Sequence, residues 1–170
     1  MAAATFQSTV NVQQGFGVVG ELIVDGPLRA DSLTLDANGG TVGLAFTKSN
    51  TTGIASQGGT ITNGSVVFAG ILVNPKVYAA YGPTGGNPLD PTLFLAGNKQ
   101  GEFLTMGTIV VSMSGAANIG DLVVFNNTTG VLTAIAPGAS PGAGTQLVPN
   151  AIVWDYPTSA SGLVAIRLTN

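Results

Sequence analysis

Apolar and polar residues alternate in short runs along this chain, and glycine or proline closes nearly every run. Alternation with a period of two is the mark of a half-buried strand. Val18 to Asp25 reads as a strand ended by the turn Asp25-Gly26-Pro27. Ser32 to Asp36 sets Leu33 and Leu35 on one face before Asn38-Gly39-Gly40 turns the chain. Thr41 to Thr47 then alternates Val42, Leu44 and Phe46 against Thr41, Gly43 and Ala45. Ser65 to Val73 is nearly all apolar, which fits a strand covered on both sides. Thr108 to Met113 has Ile109, Val111 and Met113 on one face, and Leu163 to Leu168 has Val164, Ile166 and Leu168.

The clearest hairpin joins Leu122–Phe125 to Val131–Ile135 through Asn126-Asn127-Thr128-Thr129-Gly130. That loop suits a type I turn followed by Gly130 in the left-handed conformation. Asn50 to Gly64, rich in Thr, Gly and Asn, reads as a loop with at most a short strand. Tyr81 to Pro91 and Pro137 to Gly144 read as Gly/Pro-rich loops. Residues 1 to 14 are polar but place Phe6, Val10 and Val12 on one side, as an edge strand or as an extended arm that orders against a partner. The organisation expected is an arm or edge strand over residues 1–14 and one domain over 15–170. About ten short strands at this spacing predict an all-β fold, an antiparallel β-sandwich or barrel of jelly-roll type with long Gly/Pro-rich loops. Helix has little room: after the first 14 residues, the longest run free of Gly and Pro is Leu28 to Asn38.

Composition narrows the chemistry. The chain has no His and no Cys, hence no imidazole base, thiolate nucleophile or soft metal ligand. Charged residues make up 8% of it, against about 25% in ordinary soluble domains. Arg29, Lys48, Lys76, Lys99 and Arg167 are scattered singly at a net charge of −3, which argues against nucleic acid as a partner. The longest apolar run, Val66 to Val73, is far shorter than the roughly 20 residues of a membrane-spanning helix, and no membrane role is expected. Met1 to Thr5 lacks the features of a secretory signal.

Several motifs promise more than their context supports. Gly15-Phe16-Gly17-Val18-Val19-Gly20 spells a dinucleotide fingerprint, but β-prone residues follow it where a helix N-terminus is required. Asp36-Ala37-Asn38-Gly39-Gly40 opens like a calcium loop, yet Thr47 stands where the bidentate Glu belongs. Glu21 and Asp25, four apart, could share one strand face as a glycosidase pair; the plainer reading is one solvated carboxylate and one turn-capping Asp25. Lys48-Ser49 is adjacent on a strand and therefore faces opposite ways. No catalytic, cofactor-binding or metal-binding residue is expected, and no cofactor.

Longer phrases carry a resemblance. Gly20-Glu21-Leu22 leads into Asp25-Gly26-Pro27-Leu28-Arg29-Ala30, and Phe68-Ala69-Gly70-Ile71-Leu72-Val73-Asn74-Pro75-Lys76 runs to Tyr81-Gly82. Then come Gly101-Glu102-Phe103-Leu104-Thr105-Met106-Gly107, Ile119-Gly120-Asp121, the Asn126–Gly130 hairpin and Ser161-Gly162-Leu163 to Asn170. In this order the chain resembles the structural cement, or capsid decoration, proteins of tailed bacteriophages. The resemblance implies a non-enzymatic protein of the virion, made in the host cytoplasm, that binds the outer surface of the capsid and ties major capsid protein subunits together. It also implies a homo-oligomer, dimer or trimer. Phe6, Val10, Val12 and Phe16 are the first expected interface residues, with Tyr78, Tyr81, Pro83 and Pro88 the second. The alternative is a carbohydrate-binding β module of a phage fibre or surface adhesin.

Overall fold

The computed structural model describes residues 17–62, 64–75 and 93–169, and every described element is a strand. In chain order these are β1 (Leu22–Ile23), β2 (Arg29–Thr34), β3 (Gly40–Thr41), β4 (Ala45–Ser49), β5 (Ala55–Gln57), β6 (Val66–Leu72) and β7 (Phe94–Leu95). After them come β8 (Gln100–Met113), β9 (Leu122–Asn126), β10 (Leu132–Ile135), β11 (Thr145–Asp155) and β12 (Gly162–Leu168). The expectation of an all-β sandwich or barrel is met by a closed barrel with additional strands.

One long strand organises the molecule. The C-terminal half of β8 pairs with β12, β12 with β11, β11 with β9 and β9 with β10. A parallel contact of Leu132 with Met113 returns β10 to β8 and shuts the ring. Ile109, Val111, Met113, Val123, Phe125, Val153, Val164 and Ile166 fill it and are fully buried. The N-terminal half of β8 projects beyond the ring, with β2 on one edge and β6, β4 and β5 in turn on the other. A bridge from Leu35 to Ala55 brings β5 round to the end of β2 and encloses a second core of Leu35, Val42, Phe46, Ala69, Leu72 and Phe103. Phe46 and Phe103 meet edge to face, their centroids 5.1 Å apart.

Hydrogen bonds weld the two parts at the hairpin loop. Ala45 N–H donates to the Gly130 carbonyl at 3.0 Å, and Gly59 N–H donates to that of Asn127 at 2.6 Å. The Gln57 side-chain amide donates to the Thr129 carbonyl at 2.7 Å. The loop between β9 and β10 is therefore a structural joint.

The longest departure from the sequence reading is β11, which alternation does not reveal. Pro149 and the left-handed Asn150 (φ 52°) interrupt it, and pairing to β9 skips from Leu147 to Ile152. Thr41–Thr47, expected as one strand, is split between β3 and β4 by a turn at Gly43. Val18–Asp25 shrinks to β1 because the chain turns at Val19 and Gly20. β8 begins eight residues earlier than expected. Its glycines, Gly101 and Gly107, lie inside the strand although they look like turn residues.

Gly70 shows why glycine recurs inside strands here. It sits in β6 at φ 134°, and a Cβ there would lie 2.7 Å from the Leu104 carbonyl oxygen and 2.9 Å from Phe103 Cβ. Backbone strain and a clash with a neighbouring strand's backbone act together. Gly70→Ala is expected to destabilise the protein by about 2–4 kcal/mol. Urea unfolding checks this; a loss below the roughly 0.5 kcal/mol typical of surface changes would contradict it.

Candidate interaction surface

The interface residues expected from sequence, Phe6, Val10, Val12, Phe16, Tyr78, Tyr81, Pro83 and Pro88, all lie outside the described residues. The motif residues lie within them from Gly17 onward. Gly20 ends a turn and donates its N–H to the Val110 carbonyl, so no helix follows the glycine fingerprint. Asp36 accepts the N–H of Asn38 at 2.9 Å, a local turn, and the described residues contain no group of three or more potential metal-binding side chains. The Ser49 hydroxyl accepts the N–H groups of Thr51 and Thr52.

Glu21 and Asp25 do not form a pair. Glu21 accepts the N–H of Val18 at 3.0 Å, closing its own turn. Asp25 does not cap a turn, as its position before Gly-Pro suggests; it crosses the barrel wall to Arg167. Its Oδ2 accepts from Arg167 Nη2, and its Oδ1 accepts from the Thr108 hydroxyl at 2.9 Å. Thr108 is buried, and its oxygen in turn accepts from Arg167 Nε at 3.2 Å. The polar side chains are thus turned on one another. On the far side the Arg167 guanidinium stacks on Trp154, its central carbon 3.4 Å from the ring centroid. Trp154, Arg167, Thr108 and Asp25 form a continuous row across β11, β12, β8 and the turn after β1.

Two backbone features aim this row. β11 carries a bulge between Val153 and Asp155, and Trp154 is the inserted residue. Bulges re-aim a side chain in this way. Tyr156 follows in the left-handed region at φ 58°, an uncommon state for an aromatic residue. Beside the row, a cleft of about 290 Å³ opens between the Gly26-Pro27 turn, the middle of β8 at Met106–Thr108 and the end of β12 at Arg167–Thr169.

The hydrogen bond from Thr108 and then the Arg167 guanidinium hold the Asp25 carboxyl below its usual range, against an opposing desolvation effect. A depressed carboxylate pKa stabilises the fold above the unfolded value of about 3.9, and that stability is lost as pH falls through the lower folded value. Native protein should therefore melt above Asp25→Asn at neutral pH, with the gap closing in acid. A gap that persists at the lowest pH would show that the charge of Asp25 is not its source.

The molecule is thus a small all-β barrel protein whose most elaborated described site is a flat stacked row on its outer wall. The chain belongs to the structural cement protein family (E217 gp24/Pam3 gp6), whose family model matches residues 6–169. It is thus a phage structural protein associated with the capsid shell, and its place is the virion. A solved chain from the capsid of Myoviridae phage XM1 shares the fold at a TM-score of 0.66 and 22% identity, with 96% of this chain and 97% of that chain covered. No curated protein matches the chain.

Proposed function

We propose that the protein binds the outer face of the assembled head and bridges neighbouring major capsid subunits, acting without chemistry as a clamp on the DNA-filled shell. The match of nearly the whole chain to the cement family carries this reading. Composition supports it: a chain with 8% charged residues and neither His nor Cys suits static contact better than catalysis.

The energetics follow from repetition. A single contact of modest area is weak, but a copy bound to two or more subunits at once dissociates far more slowly, because each site holds the other in place. Self-pairing extends the same logic. In β2 the residues Ala30, Ser32 and Thr34 turn their backbone groups away from β8, because Leu35 N–H bonds inward to Lys99 and successive residues alternate. An outward row of this kind is a template for an added strand, from a second copy or from the arm over residues 1–14.

Heads assembled without the protein are expected to release DNA at a lower temperature than decorated heads. Dye-accessible DNA measured through a thermal ramp tests this. Coincident release curves would count against the clamp.

A further inference from the structure

We infer that the outer wall built on Trp154, Arg167 and the Val24–Leu28 turn is the docking face for the capsid shell, and that it seats an apolar, uncharged patch of a shell subunit. This rests on the cement reading and gives it an address.

Several independent observations converge on this face. Trp154 is the chain's single tryptophan, and it is 42% exposed even though Arg167 covers part of its ring. A lone Trp is costly to leave in water, yet a bulge turns it outward and a left-handed Tyr156 follows it. The bulged segment is also held on its other edge, where Val153 exchanges backbone hydrogen bonds with Gly120 and Asp121. The backbone that carries the ring is therefore held in place before any partner arrives, which lowers the entropy lost on docking. Trp and Arg are among the residue types that most often dominate binding energy at protein interfaces. The turn that carries Asp25 also exposes apolar side chains, Val24 at 85% and Leu28 at 41%, and Leu28 lies against Gly107 of β8.

The electrostatics select the partner. Covering a lone arginine costs several kcal/mol, but the charge of Arg167 is already met by Asp25, and Thr108 bonds to both of them. The Arg167 charge can thus be dehydrated without being stranded. The same internal bonding argues against a glycan. Sugar recognition needs polar groups pointing outward beside the aromatic platform, and here the Asp25 carboxylate and the Thr108 hydroxyl are spent on each other and on Arg167. An apolar protein surface, with one side chain entering the cleft beside Pro27, matches what is left.

Two measurements test the inference, both with full-length protein and heads lacking it. In co-sedimentation, Trp154→Ala is expected to weaken retention by at least about 30-fold, the scale of an interface hot spot, with Trp154→Phe recovering much of it. Leu147→Ser, an exposed leucine elsewhere on β11, is expected to bind as the native protein does. Second, N-bromosuccinimide oxidation of Trp154, read by mass spectrometry in the native protein, is expected to slow several-fold on heads, whether or not any variant folds. Native-like retention of Trp154→Ala, or equal oxidation free and bound, would overturn the docking face while leaving the cement reading intact. So would a Trp154→Ala defect confined to glycan binding or to self-association without heads. Failure of the native protein to sediment with heads would remove both.

Discussion

Removal of residues 1–14 is expected to leave a folded protein that washes off phage heads. Both described cores are built from Leu22 onward, so the deletion removes none of their residues. Melting should stay within a few degrees of the native value. Retention is a different matter. The segment alternates Phe6, Val10 and Val12 against polar residues, a pattern fitted to adding a strand to an exposed edge. If the arm supplies one of two or more simultaneous contacts, its loss removes the advantage of multivalency, worth about 10²–10⁴-fold in avidity. Truncated protein sedimented with heads after dilution should remain in the supernatant. Full retention would assign residues 1–14 to the domain as an ordinary first strand.

Phe103→Ala is expected to cost more stability than any other single truncation in the second core. The side chain is fully buried on β8 between β2 and β6, and it packs edge to face on Phe46. Emptying such a site costs about 3–5 kcal/mol, from lost burial and from the cavity left behind. The rigid β8 backbone on one side and the Gly70 approach on the other leave little room for collapse. Against a total of about 5–15 kcal/mol, this lowers Tm by roughly 10 °C and brings a marginal protein close to unfolding. Calorimetry gives the answer directly. A shift of a degree or two would mean that the second core repacks freely and does not help hold β8 in place.

Legibility in the sequence follows the range of the forces involved. The Asn126–Gly130 hairpin is readable because its chemistry is local: the Asn126 side chain accepts the N–H groups of Thr128 and Thr129, and Gly130 takes φ 71°. β11 is hidden because Pro149 and Asn150 break its alternation where it lifts away from β9, a defect that only the neighbouring strands make tolerable. The first half of β8 is hidden for a related reason. Gly101 looks like a turn, but it lies inside the strand, where a Cβ would sit 2.8 Å from Leu72 Cδ1. The stacked row on the barrel wall leaves no trace in the spacing of its members. Asp25 and Arg167 are joined only by the ring of strands between them, and the Trp154 bulge has no signature in the sequence. What can be read is the scarcity of catalytic side chains, and with it the expectation of a protein that works by contact.

A clamp requires that one copy grip several shell subunits at once on the outside of the head. A cryo-electron microscopy map of the intact particle would reveal that grip. Ordered density is expected for this chain on the external surface at a fixed copy number per capsid lattice unit, with each copy touching two or more major capsid subunits. Virions without such density, or copies that each rest on one subunit alone, would contradict it.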